Sequence, residues 1–247
     1  MVNLKVIIFV FFISLINSTY AQVVQKPLIT KSKHKNSGFI DFNGYYDTRE
    51  YGELTMNILA NLDHNIQYFS LTNFSSSNPT ADLSGYYSEQ NIRWKPIKKL
   101  PFDIFTQWVI RAGSANDDLR FGLKWNISKT PKIDAFFKKI NMFYFVNFHL
   151  IQFRDQVETK GFTQIEHVYN FKILPKTFKN RVYLGGFADQ NFVYQDNGKI
   201  SFNWVSEHQL GVRFWDQFYL VAEYRINDFR AKDNYGLGYG LEYKIKF

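Results

Sequence analysis

From Gly38 onward, large apolar residues alternate with small or polar ones along most of the chain. The pattern is cleanest at the end, Asn234 to Phe247. There Tyr235, Leu237, Tyr239, Leu241, Tyr243, Ile245 and Phe247 alternate with Asn234, Gly236, Gly238, Gly240, Glu242, Lys244 and Lys246. A strand turns successive side chains to opposite faces, so this segment has one greasy face and one small or charged face. Leu119 to Ile127 sets Leu119, Phe121, Leu123, Trp125 and Ile127 against Arg120, Gly122, Lys124 and Asn126. Ile200 to Phe214 and Phe218 to Ile226 alternate in the same way. The pattern predicts twelve strands, near 39–47, 53–61, 66–74, 83–95, 102–112, 118–127, 141–153, 163–174, 181–192, 200–214, 218–226 and 235–247. Strand 1 and strands 7 to 9 carry aromatics on both faces. Most of the runs have nine to fourteen residues, longer than the globular norm of about 5–6 and enough to cross a bilayer when tilted.

An alternating face can turn inward to a dry core, as in an exported sandwich or lipocalin-like barrel, or outward to lipid. Composition favours lipid. Aromatics make up 19% of the chain, with 26 Phe and 16 Tyr, yet mean hydropathy is slightly negative. Many rings within a polar average is what alternation produces, and it suits the aromatic girdles of membrane barrels. The expected fold is therefore all-β: a transmembrane antiparallel up-and-down β-barrel of about 12 strands spanning residues 38–247. The absence of cysteine excludes disulfides and thiolate metal sites. A formal charge of +8 says little about function by itself.

Residues 1–21 read as a secretory signal peptide, with Lys5 as the positive region, Val6 to Ile16 as the apolar run and Thr19-Tyr20-Ala21 as the cleavage site. Eleven residues are too few for a spanning helix, which needs about 20. Residues 22–37, with four lysines and no periodicity, read as a flexible periplasmic arm. The connections sort into two sets. Leu62–Asn65, Pro96–Pro101, Ser128–Ile140, Pro175–Asn180 and Trp215–Gln217 would be periplasmic, and three of the five are rich in Lys and Pro. The six others, mostly acidic or small and polar, would face outward.

With the apolar faces on lipid, the opposite faces line a lumen. Its expected solute-contacting residues are Tyr87, Asn91, Arg93, Arg111, Arg120, Lys124, Tyr183, Phe187, Asn203, Glu207, Arg213, Glu223 and Arg225. Tyr45, Phe105, Tyr219, Gln107, Gln209, Glu166, Glu242 and Lys244 share that face. Such a wall can block a small barrel with cross-strand ion pairs. It can equally pass a solute, with rings stacking on flat molecules and polar groups bonding their edges.

Three short segments and the closing strand carry a family resemblance. They are Tyr87-Ser88-Glu89-Gln90-Asn91-Ile92-Arg93-Trp94, Gly185-Gly186-Phe187-Ala188-Asp189 and Ser206-Glu207-His208-Gln209-Leu210-Gly211. In these and in its layout the chain resembles the Tsx-like family of nucleoside-specific outer-membrane channels. That resemblance implies a monomeric twelve-stranded barrel whose narrow lumen passes nucleosides. The family's first-strand pattern is not matched at Phe39 to Asp47, and no nucleoside-contacting residue is carried over.

The expected partners are outer-membrane lipid and a small hydrophilic solute such as a nucleoside, with no cofactor, no metal and no nucleic acid. Two alternatives stand beside the channel. One is a structural barrel with a blocked lumen. The other is an outer-membrane acyl hydrolase using Ser206 and His208, two apart on one strand and so on one, lipid-side face, with Glu207 on the other.

Overall fold

A computed structural model describes residues 36–76, 83–113, 116–154 and 159–247, of 159 and 160 the backbone alone. The expected signal peptide and nearly all of the expected arm lie outside the described residues. Twelve antiparallel strands follow in chain order: β1 Ser37–Asp47, β2 Tyr51–Asn61, β3 Ile66–Ser76, β4 Gly85–Trp94, β5 Phe102–Arg111, β6 Asp118–Trp125, β7 Met142–Arg154, β8 Thr159–Lys172, β9 Val182–Gln195, β10 Ile200–Trp215, β11 Phe218–Asn227 and β12 Tyr235–Lys246. Each pairs with its sequence neighbours, and β1 pairs with β12 to close the barrel. All twelve expected strands are present, with ends shifted by at most four residues. The connection after β6, read from sequence as plain loop, contains a short helix, α1 Asp134–Lys139.

The closing ladder runs from Phe39 opposite Lys246 to Asp47 opposite Gly238. It ends with the Gly38 N–H donating to the Phe247 carbonyl at 2.9 Å and the reciprocal bond at 3.2 Å. In hydrocarbon every backbone group needs an internal partner, and only a closed sheet supplies one along its whole circumference.

The outer face is apolar. Trp108, Leu220, Leu241 and Phe202 are all about half exposed. Such a belt on a water-facing surface would be far larger than the apolar patches monomeric soluble proteins tolerate. Facing lipid, it is the expected exterior of a membrane barrel. The chain is thus an outer-membrane β-barrel, its greasy residues outward and its charged residues inward. Strand 7 looked irregular in sequence for a physical reason. A bulge in the pairing of β6 with β7 leaves both Leu150 and Ile151 outward and exposed, so the alternation skips a step.

The rim where β1 begins and β12 ends (here the terminal rim) carries the connections after β2, β4, β6, β8 and β10. These hold ten Lys and Arg residues against three Asp. The opposite, far rim holds four against eight Asp and Glu.

Closure predicts a sharp contrast between two glycines. A side chain on Gly240 would drive its Cβ to 1.8 Å from the Gly44 carbonyl oxygen, whereas one on Gly44 would meet nothing within 4 Å. Gly240→Val should destabilise the barrel by about 1–3 kcal/mol or more. Gly44→Ala should leave it nearly unchanged. Urea unfolding from lipid vesicles, with heat-modifiable gel mobility as the folding check, measures both.

Candidate functional site

The inner wall is built by the second residue set of every strand. On β12 that set begins Gly236, Gly238, Gly240, of which the first two lie beside side chains of β1 and the turn after it and the third against the Gly44 backbone. A Cβ on Gly238 would sit 3.5 Å from the Tyr45 ring, and one on Gly236 would strike Arg49 and Asp47. The same device recurs elsewhere. The Tyr183 ring lies over Gly211 and the Phe105 ring over Gly122, each closer than a Cβ would allow. Small residues thus let large rings lie flat against the wall of a narrow barrel.

The wall carries opposite charge clusters on opposite sides. On β5–β7, Asp118 accepts from Arg111 and Arg120 on one oxygen, both at 2.9 Å, and from Arg154 on the other at 2.8 Å. Arg120 also donates to Gln107 at 3.0 Å and Gln164 at 2.9 Å, which ties β5, β6 and β8 together. Across the barrel, Arg225 on β11 pairs with Glu223 and, at 2.9 Å, with Glu53 on β2. Its guanidinium also lies over the Tyr45 ring, 4.9 Å from the centroid. Three cations surround one anion on one wall, and two anions surround one cation on the facing wall.

Nearer the terminal rim, Lys244 pairs with Glu242 and Asp41, and Glu242 accepts from the Tyr183 hydroxyl. Tyr183 packs edge-on against Tyr219 at 5.7 Å, and Tyr45 donates to Gln209 at 2.7 Å. On the facing wall Lys124 and Arg93 both lie over the Phe145 ring, at 3.9 and 5.5 Å. Between these levels, Glu166 accepts from Asn147 at 2.6 Å and meets His149 at 3.2 Å.

All thirteen expected solute-contacting residues lie on inward-facing positions. The structure gathers them into separate groups. Arg111 and Arg120 share Asp118, while Glu223 and Arg225 pair directly. Tyr183 joins the Glu242 and Gln209 group, and Tyr87 donates to Glu89 and lies under Arg111. Arg93 and Lys124 share Phe145. Asn203 lends only its backbone carbonyl, to Asn191 at 3.2 Å. Arg213 sits at the terminal rim, where it reaches the Lys179 carbonyl at 3.4 Å.

Sequence reading missed the members that organise these groups. Asp118 opens its strand, Arg154 was assigned to a loop, and Asp41 lies on a first strand obscured by aromatics. His149 looked isolated among the histidines. Only the register of β7 with β8 brings it to Glu166.

The Ser206–His208 pair does face outward, with Glu207 inward. The Ser206 hydroxyl is out of solvent contact and has no hydrogen-bond partner among the described residues. His208 Nδ1 is engaged instead by the Tyr169 hydroxyl at 2.8 Å, which crosses over Gly186 on the intervening strand. A second such pair, Tyr144 and His167, is also 2.8 Å apart. The arrangement thus lacks the base-to-nucleophile contact that acyl transfer uses.

The barrel has structural parallels. No protein-family model matches the chain, and no curated protein matches it. A KdgM porin aligns over 83% of this chain and 98% of its own, at 10% identity and a TM-score of 0.48. An outer-membrane channel from Pseudomonas putida F1 aligns over 92% and 100%, at 8% and 0.43. The translocator domain of the autotransporter NalP from Neisseria meningitidis aligns over 88% and 90%, at 10% and 0.39. Likeness at this level carries no argument about function, which rests on the wall itself.

The charge clusters predict a graded response to neutralisation. Arg225→Gln strands Glu53 and Glu223 inside the barrel and should cost about 3–5 kcal/mol of unfolding free energy. Asp118→Asn, which removes the one anion among three guanidiniums, should be similarly costly. Asp134→Asn, which breaks only the exposed pair with Lys138 on α1, should leave the unfolding midpoint in place.

Proposed function

We propose that the protein is an outer-membrane channel for small hydrophilic solutes, with nucleosides the first to test. What supports this reading is the incomplete pairing of the wall. Asn91 Nδ2, His149 Nδ1, Asn147 Oδ1, Arg93 Nε and Arg120 Nε are buried on the inner side without a hydrogen-bond partner among the described residues. A purely structural plug is expected to satisfy its polar members, because a half-paired buried network is worse than an apolar one. Donors and acceptors left over behind the lumen surface are partners that water or a polar solute reaches once the wall's side chains part. The inward rings Tyr87, Tyr183 and Phe187 add flat surfaces of the kind a nucleobase stacks on.

One observation favours the blocked barrel instead. Asp118, Glu242, Asn147 and Asn91 are all at least 98% shielded from solvent, so the side chains leave little room between the walls. The channel reading therefore implies narrow passage and small conductance.

Planar bilayers separate the two. The channel reading expects small, discrete conductance steps that added nucleoside reduces. Tyr45→Ala, which removes a ring from the wall and the hydroxyl that donates to Gln209, should enlarge those steps about twofold or more. A silent wild-type protein that stays silent as Tyr45→Ala, while still folded by heat modifiability, would leave the blocked barrel. Liposome swelling with nucleosides and sugars of similar size then tests the solute.

A further inference from the structure

The terminal rim combines two features that serve different environments. Its connections are strongly basic, and the same connections present exposed greasy side chains. Phe136 on α1 and Trp215 at the end of β10 are 59% and 67% exposed, beside Lys138 and Lys139 in one case and Arg213 in the other. Among the described residues, Asp103 on β5 pairs with Lys95 and offsets one of these charges, which leaves the excess strongly positive. Residues 1–35 contain five lysines and not one Asp or Glu, and the far-rim acids sit at the other end of the barrel.

A water-soluble anionic partner would meet the cations but gain nothing from rings directed into the membrane interface. A phospholipid leaflet meets both, since acyl chains cover the rings and headgroup phosphates meet the cations. Amphipathic surfaces of this composition lie in the headgroup boundary, and each Lys or Arg near an anionic surface adds about 1 kcal/mol of attraction.

One place on this rim brings two of its cations beside two of its exposed rings. A groove of about 260 Å³ is lined by Arg181, Arg213, Phe214, Trp215 and Asp216. The two arginines are held together by the backbone, the Arg213 N–H donating to the Arg181 carbonyl at 2.8 Å. Asp216 offsets part of their charge, leaving a net positive groove that Phe214 and Trp215 border.

We infer that the terminal rim binds anionic phospholipid, with one headgroup phosphate seated between Arg181 and Arg213 and the acyl chains lying over Phe214 and Trp215. The site lies at the terminal rim, where β9 begins and β10 ends, and does not depend on the lumen conducting.

The test is native mass spectrometry of the detergent-solubilised protein given equal phosphatidylglycerol and phosphatidylcholine. The expected result is preferential retention of phosphatidylglycerol, weakened in 0.5 M salt. Arg181→Gln/Arg213→Gln should lower its apparent affinity roughly thirty-fold, the sum of two such charges. The far-rim variant Lys199→Gln/Lys232→Gln should retain wild-type affinity, and heat-modifiable mobility reports that each variant is folded. Equal retention of the two lipids, or an unchanged affinity in the arginine variant, would overturn the inference. So would displacement of phosphatidylglycerol by millimolar inorganic phosphate, which would mark a free-anion site. A soluble polyanion that binds the rim and abolishes lipid retention would point to an aqueous partner and overturn it as well.

Discussion

The ladder between β1 and β12 is the constraint on which everything else depends. An open twelve-stranded sheet would expose two rows of unpaired N–H and C=O groups, and no solvent in hydrocarbon could satisfy them. Pairing Phe39–Asp47 with Gly238–Lys246 removes both edges at once. Closure then fixes which side of each strand is inside, because all twelve strands share one inner and one outer surface. The tight backbone approach at Gly44 and Gly240 belongs to this seam.

Closing a sheet of this size creates a second problem, a narrow interior into which half of every strand's side chains must fit. The chain meets it by pairing large with small across neighbouring strands, as Tyr183 with Gly211 and Phe105 with Gly122. The glycine run of β12 is the same solution along one strand, its bare inner face taking Tyr45, Arg49 and Asp47. The alternation that makes the outside greasy and the glycines that make room inside are written into one segment.

Charge is arranged as economically. The principal ion clusters of the wall draw their members from neighbouring strands, so that Asp118 joins β5, β6 and β7, and Arg225 joins β11 to β2 across the seam, while Arg93 and Lys124 rest on the Phe145 ring. Removing one partner of such a pair leaves the other uncompensated, which is why loss of a single member is costly. The excess of cations on one wall and of anions on the facing wall gives the lumen a transverse polarity that an evenly mixed wall would lack.

The strand count, the outward direction of the apolar faces and the inward direction of residues such as Arg120, Glu207 and Arg225 were determined by the sequence alone. A period of two sorts each strand's side chains into two sets, and strand length with the abundance of aromatic residues decides which set meets lipid. The partners could not be read this way. Which carboxylate meets which guanidinium depends on the offset between strands far apart in the chain, as when the 174 residues between Tyr51 and Arg225 vanish across the β1–β12 seam. A bulge in β7 turned Arg154 inward, because one extra residue inverts the alternation beyond it. Tertiary structure alone set His208 against Tyr169 rather than Ser206, since the decisive element is an empty place on the intervening strand, the missing side chain of Gly186. Periodicity fixes direction along a strand, and register across strands fixes company.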